Sequence, residues 1–232
     1  MTILCIETST QVCSAAVTIG GVPIAERICR EGGNHAQLLP VFVDELLAEV
    51  RAKDLTIEAV ALSEGPGSYT GLRIGTSTAK GLCYGLDIPL ISIPTLKVLT
   101  VAALARNALL AHTGSNIPVY LCPMIDARRM EVYTALYNED LEETTVVQAR
   151  VIEDDAWLPQ GEVYYFGDGA AKCSPVLESK TVHLVEGIIP EAKYMGVLAE
   201  QAVQIKGAEI AYYEPFYLKE FVAAPSHIKG LK

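Results

Sequence analysis

Ser63-Glu64-Gly65-Pro66-Gly67-Ser68-Tyr69-Thr70-Gly71-Leu72-Arg73-Ile74-Gly75 is the stretch whose reading decides the fold. An apolar run, Ala59 to Leu62, leads into it and reads as a short buried strand. From Tyr69 to about Gly85 the pattern reads as a helix. A strand, a glycine-rich loop and a helix start leave free N–H groups pointing one way, which suits an anion. An anion or nucleotide loop, an interface built around it, and a plain β-to-α turn all fit. Short βα loops are common, so the loop chemistry alone favours the plain turn. Two familiar motifs fail. A Walker loop needs Lys-Ser or Lys-Thr after its last glycine, where Leu72-Arg73 stands. A nucleophile elbow needs Gly-x-Ser-x-Gly, and Ser68 follows Pro66-Gly67. Gly75-Thr76-Ser77-Thr78-Ala79 lies inside the expected helix, away from any sharp turn.

That helix carries Gly71, Gly75 and Ala79 at every fourth position, then Gly81 and Gly85. Each glycine costs a helix roughly 1 kcal/mol against alanine. Tolerating them implies that another backbone comes close, either the chain's own sheet or a helix of another chain.

Working outward, Thr2 to Ile6 reads as a strand ending at Glu7-Thr8-Ser9-Thr10. Ser14 to Ile19 and Val22 to Ile28 flank Gly20-Gly21, a hairpin signal. Asn34 is placed to cap a helix running to about Ala52. Its apolar stripe is Leu39, Phe42, Val43, Leu46 and Val50, widened by Leu38 and Leu47. Pro40 is tolerable only near the first turn. Leu90 to Ile93 reads as a strand, and Thr95 as the cap of a helix running toward His112. In the second half, Val119 to Ile125, Glu131 to Tyr137, Glu142 to Val151 and Val163 to Phe166 read as strands, and Lys193 to Lys206 as a helix. Two three-stranded openings, at residues 2 and 119, suggest an α/β architecture built from a duplicated β-β-β-α unit. The expected lobes are 1–112 and 113–232, with the final segment returning to the first.

The 232 residues can bury a real core, and half of them are apolar. No run reaches the length of a membrane span. The excess apolar content points to a buried partner surface that composition cannot locate. The net charge of −10 lacks the basic patch of a free-standing nucleic-acid binder, so a nucleic-acid role calls for a partner that supplies positive charge. The one basic-leaning segment is the tail with Lys219, His227, Lys229 and Lys232, which also reads as an ordinary solvated tail. Six scattered cysteines with no Cys-x-x-Cys pair read as buried thiols of a cytoplasmic protein.

Taken together, five stretches resemble the TsaB (YeaZ) family over almost the whole chain. They are Ile6-Glu7-Thr8-Ser9-Thr10, His35-Ala36-Gln37-Leu38-Leu39-Pro40, the run from Ser63 to Gly75, Asp126-Ala127-Arg128-Arg129 with Glu131-Val132-Tyr133, and Pro215-Phe216-Tyr217-Leu218-Lys219. The resemblance implies a two-lobed actin/Hsp70-like fold (ASKHA, ribonuclease H-like) with a duplicated β-β-β-α-β-α unit and a reduced second lobe. It implies a role in making threonylcarbamoyladenosine beside the anticodon of tRNA, as a non-catalytic partner of a larger paralogue, TsaD, supported by the small ATPase TsaE. Contact with tRNA would then be indirect, through the complex. Pairing would use helices of the first lobe, with His35, Leu38, Leu39, Phe42, Leu46, Gly71, Gly75, Ala79 and Leu82 as interface candidates. The same surface would serve a homodimer when TsaD is absent.

Catalytic relatives hold a metal on two histidines one helical turn apart. The matching stretch here, Ile93 to Leu99, has no His, Asp, Glu or Cys, and His35, His112, His183 and His227 are isolated, so no metal is expected. No cofactor of the chain's own is expected either, although ATP or ADP shared at the TsaD interface fits. Glu7, Thr8, Ser9 and Thr10 would be a first phosphate loop, and Ser68, Thr70 and Arg73 the contacts across the interface. Asp126-Ala127-Arg128 stands where a second phosphate loop would be but lacks its glycine. Phe166-Gly167-Asp168-Gly169-Ala170 would be a reduced adenosine loop. Vestigial turns are the favoured reading of all three. Asp126, Arg128, Arg129 and Glu131 read either as a charged contact or as a local ion-pair network. A small-molecule kinase of the same superfamily is the alternative, with Glu7 as its only obvious base. The old glycoprotease name finds no protease constellation.

Overall fold

The computed structural model describes residues 1–106, 117–177 and 179–219. The first lobe opens with β1 (Thr2–Glu7), β2 (Cys13–Ile19) and β3 (Val22–Cys29), followed by α1 (His35–Ala52), β4 (Ala59–Gly65), α2 (Tyr69–Leu86), β5 (Leu90–Pro94) and α3 (Thr95–Ala105). The β2–β3 turn is Gly20-Gly21, both at positive φ (56° and 80°), which glycine adopts without strain. β1 is antiparallel to β2 and parallel to β4, with Ile3 to Ile6 beside Ala59 to Leu62.

The second lobe contributes β6 (Val119–Asp126), β7 (Glu131–Thr134), β8 (Gln148–Val151), β9 (Glu162–Phe166) and β10 (Val182–Val185). Its strand order, β8-β7-β6-β9-β10, repeats the order β3-β2-β1-β4-β5 of the first sheet, with the same antiparallel and parallel pairings. The duplication is therefore topological, and the architecture is the two-lobed α/β actin/Hsp70-like fold. The second lobe is the reduced copy. Where α1 and α2 stand in the first lobe, residues 152–161 hold no helix, and the described residues of 167–181 hold only a 3₁₀ turn at Ala171–Cys173.

α3 is apolar nearly all round because it is the middle layer. Val98 packs on the first sheet with Ile3, Ile91 and Ile93. Leu96, Leu99, Ala102 and Ala103 pack on the second with Leu121, Ile125 and Phe166. The other face of the first sheet is covered by α1 and α2, through Leu39, Val43, Leu46, Val50, Ala79 and Cys83.

Several local expectations are corrected. Glu142 to Val151 is a strand only from Gln148. Before that, the Asn138 side chain accepts from the Asp140 and Glu142 N–H groups, and the Thr144 and Thr145 hydroxyls bond the Leu136 backbone, so local bonds replace a ladder. The helix expected over Lys193 to Lys206 is a 3₁₀ turn, Ala192–Met195, then α4 (Gly196–Gln201). The chain next extends into β11 (Gln204–Ile205), which pairs antiparallel with β5 at the edge of the first sheet. An open sheet edge outcompetes another helical turn there. α5 (Glu209–Tyr212) follows. Asn34 precedes α1 without a side-chain cap bond. Thr95 caps nothing and accepts instead from the Gly65 N–H, tying the end of β4 to α3 (3.2 Å). His112 and His227 lie outside the described residues.

Glu191 holds the junction between α4 and the first lobe, and no sequence pattern announces it. Its fully buried carboxylate pairs with Arg30 (2.6 Å) and Lys193 (2.5 Å), while the next N–H, of Ala192, donates to Ser14 Oγ (2.9 Å). Burial pushes the Glu191 carboxyl up, and Lys193 and Arg30 more than offset this, so it sits below its ordinary value. Because both partners are partly exposed, Glu191→Ala should cost only about 1–3 kcal/mol. The stability that Glu191 contributes should be present above pH ~4.3 and drain as pH falls through the lowered value. Acid unfolding of the variant and parent should therefore converge; a constant gap down to pH 2 would contradict the pairing.

Candidate functional site: the cleft beside the α2 N-terminus

The Ser63–Gly75 run forms the end of β4, a loop and the first turns of α2. Ser68 is the N-cap, its Oγ accepting from the Gly71 N–H (3.3 Å). The close approach inferred from the glycines is made by the chain's own β1–β2 connection. The Ser68 N–H donates to the Ser9 carbonyl (2.6 Å) and Thr8 Oγ1 donates to the Gly71 carbonyl (2.8 Å). A Cβ on Gly67 would run into the Ser9 carbonyl oxygen, one on Gly71 into the Thr8 carbonyl oxygen, and one on Gly75 into Thr8 Oγ1.

This packing seals Glu7 and Thr8 of the expected first phosphate loop away, while Ser9 and Thr10 border the cleft. Glu7, Thr8 and Ser9 are wholly buried and Thr10 nearly so. Glu7 Oε1 accepts from the Ser9 N–H (2.7 Å) and Ser9 Oγ (2.5 Å), and Oε2 accepts from Ser63 Oγ. Thr10 Oγ1 accepts from the Val12 N–H (3.3 Å). With its acceptors occupied and no solvent access, Glu7 is a structural carboxyl and is corrected as a phosphate contact or a base. Burial pushes its pKa up despite these hydrogen bonds.

The interface candidates divide in the same way. Leu39, Leu46, Gly71, Gly75 and Ala79 face the chain's own core, which corrects their placement on a partner surface. Leu38, Phe42 and Leu82 are half-buried at the margin of that core. His35 is tied down, its Nε2 lying 3.0 Å from the Thr10 carbonyl and 3.2 Å from that of Val12. Val41 (51% exposed), Tyr84 (90%) and Leu86 (48%) are large apolar side chains that α1 and α2 present to solvent.

Ser68, Thr70 and Arg73 do stand exposed; Ser68 and Thr70 lie on one wall of a cleft, and Arg73 is held beside it over the Tyr69 ring. The opposite wall is the β6–β7 turn, where Arg128 (φ 72°) and Arg129 (φ 53°) occupy left-handed positions. The acidic members of that cluster are paired, Asp126 with Lys172 and Glu131 with Lys219. Among the described residues neither Arg128 nor Arg129 has an ion-pair partner, so an acidic chain shows uncompensated positive charge here. The expected adenosine loop packs behind the same wall. Gly167 (φ 112°) lies against the Met124 carbonyl and Gly169 against Ile125, while Asp168 Oδ1 accepts from the Asp126 N–H (3.0 Å).

Residues 215–219, marked in the sequence as a motif within a final segment expected to return to the first lobe, bridge the cleft. The Phe216 N–H donates to the Glu64 carbonyl (2.7 Å), and Lys219 reaches Glu131 in the other lobe. Between these anchors the Tyr217 ring lies 4.9 Å from that of Tyr69, and the Arg73 guanidinium sits 4.2 Å above Tyr69. Among the described residues, no group of three or more His, Cys, Asp or Glu side chains is arranged to hold a metal ion, and no helix is long and apolar enough to cross a membrane.

Known proteins match this chain nearly end to end. The family model for TsaD, tRNA N6-adenosine threonylcarbamoyltransferase, matches residues 30–223. The tRNA threonylcarbamoyladenosine biosynthesis protein TsaB of Escherichia coli is 30% identical, over 96% of this chain and 96% of that protein. The chain belongs to the TsaB (YeaZ) family. The TsaB of Haemophilus influenzae is 29% identical over 96% of this chain and 95% of its own length. The structure of YeaZ from Pseudomonas aeruginosa superimposes with a TM-score of 0.73 at 23% identity, covering 94% of this chain and 99% of that one, and shares the fold.

Proposed function

We propose that this chain is a non-catalytic partner subunit of a TsaD-like paralogue in forming threonylcarbamoyladenosine on tRNA, in the cytoplasm. Its full-length similarity to TsaB proteins carries the reading. Glu7 supports the accessory role, since the one carboxyl that a kinase reading would use as base is sealed in the core. The docking surface is the solvent side of α1 and α2, around Val41 and Tyr84, and a homodimer would use the same side. A TsaE-like ATPase joins the complex, and tRNA is contacted through it. Any ATP or ADP is shared with the paralogue at Ser68, Thr70 and Arg73 beside the Arg128-Arg129 turn.

The test is reconstitution of TsaD and TsaE with tRNA and threonylcarbamoyl-adenylate, with and without this chain. Product should form only when the chain is added, and the chain alone should make none. Val41→Glu and Tyr84→Glu should each weaken pairing with TsaD at least tenfold while thermal stability stays within a degree or two, because both side chains face solvent in the free protein. Unchanged product without the chain would refute the partner role; unchanged pairing in both variants would move the docking surface elsewhere. Gly75→Arg and Leu46→Glu are unsuitable probes, since both positions belong to the core.

A further inference from the structure

Of the six cysteines, five are buried and Cys29 alone is partly exposed. Cys29 is the last residue of β3, and its direct cross-strand partner is Cys13, the first residue of β2. Paired residues of an antiparallel ladder project to the same side. Here that side is α1, since Cys13 packs with Leu39 and Val43 and Arg27, two residues before Cys29, reaches Glu45 and Glu49. Directly opposed Cα atoms in such a ladder lie about 4.5 or 5.5 Å apart, and both values fall within the disulfide range of about 4.4–6.8 Å. Their Cβ atoms need to close by up to about 1 Å. The end of the ladder permits this, because β3 stops at Cys29 and the chain turns away through Gly32 (φ 73°) and Gly33 (φ 89°).

We propose that Cys13 and Cys29 form a reversible cross-strand disulfide, with Cys29 as the thiol that meets the oxidant and Cys13 as the resolving thiol. The oxidant class is a small-molecule disulfide. The Cys29 thiolate attacks one sulfur of the oxidant, whose S–S bond breaks and releases one thiol. Cys13 then gives up its proton, attacks the Cys29 sulfur, and expels the second half of the oxidant as another thiol. Two protein thiols are oxidised by two electrons, and one disulfide is reduced to two thiols. Burial pushes the Cys13 thiol up to about 12, which makes the second step the slow one and protects Cys13 from direct attack. Cys122 and Cys173 provide the internal contrast: they also lie close enough to interact, but both are buried, hydrogen-bonded to Thr134 and to the Gly169 carbonyl respectively, and closed to oxidant. The inference is independent of the partner reading above.

The experiment incubates the full-length protein with oxidised glutathione, then counts thiols after denaturation and maps peptides. Thiols should fall by two, from six to four. The peptide Ile28-Cys29-Arg30 should be found linked to the N-terminal peptide, with fragmentation placing the bond at Cys13 rather than Cys5, and dithiothreitol should reverse it. Cys29→Ser should lose no thiols, and Cys13→Ala should stop at glutathione on Cys29. Glutathione persisting on Cys29 of the unaltered protein with no internal link, or a link between two chains, would overturn the proposal.

Discussion

Gly71→Ala is expected to destabilise the protein by about 3 kcal/mol or more, although alanine is the better helix former by roughly 1 kcal/mol. The added methyl would occupy the place of the Thr8 carbonyl oxygen, and that carbonyl belongs to backbone pinned by β1 and by the Ser9–Ser68 bond. Backbone cannot swing away as the end of a long side chain can, so either α2 lifts from the sheet or the β1–β2 connection is displaced. Gly81→Ala, nearly three turns along the same helix, is the matched control. Nothing lies within 4 Å of its added methyl, and it should stabilise by ~0.5–1 kcal/mol. Urea unfolding of the two variants should give shifts of opposite sign. Equal, small shifts would mean that the glycines answer to something other than the Thr8–Ser9 backbone.

Glu7 should give the second large effect. Glu7→Ala leaves the Ser9 N–H and the Ser9 and Ser63 hydroxyls facing an emptied, water-free space, at a cost of ~3 kcal/mol. Glu7→Gln keeps the shape and tests the charge. Burial raises the carboxyl's pKa in the folded state, so its contribution is fullest below the unfolded value of about 4.3 and is lost as pH rises through the raised folded value. Glutamine does not titrate, so the stability of Glu7→Gln relative to the parent should improve as pH increases from about 4, then level off. A difference that stays flat between pH 4 and pH 8 would show that the carboxyl is not shifted. This trend runs opposite to that of Glu191, whose charged partners lower its pKa.

The strand-and-helix order of the first lobe could be read because its signals are local. Gly20-Gly21 marks the hairpin, the spacing of Leu39, Val43, Leu46 and Val50 marks α1, and the Ser63–Gly75 run marks a strand, a turn and a helix. The second lobe was less legible. Its strands are short, and the hydroxyls of Thr144 and Thr145 and the Asn138 amide divert backbone groups in ways that apolar patterning does not show. The site was legible as a set of motifs but not as an arrangement. Ser68, Thr70, Arg128 and Arg129 line the cleft, while Glu7 and Thr8, which have the residue types of a phosphate loop, are sealed beneath α2.

By itself, the sequence determined the α/β class, the duplicated strand-rich opening and the family resemblance, because these rest on periodicity, turn residues and motif order carried along the chain. Only the tertiary structure decided which backbone the glycines of α2 admit, that Leu39, Leu46, Gly71, Gly75 and Ala79 face inward, and that residues 215–219 join the two lobes. Those outcomes depend on contacts between segments distant in sequence. A small residue at every fourth position requires a close neighbour, but the pattern is the same whether that neighbour is another chain or, as here, the carbonyl of Thr8.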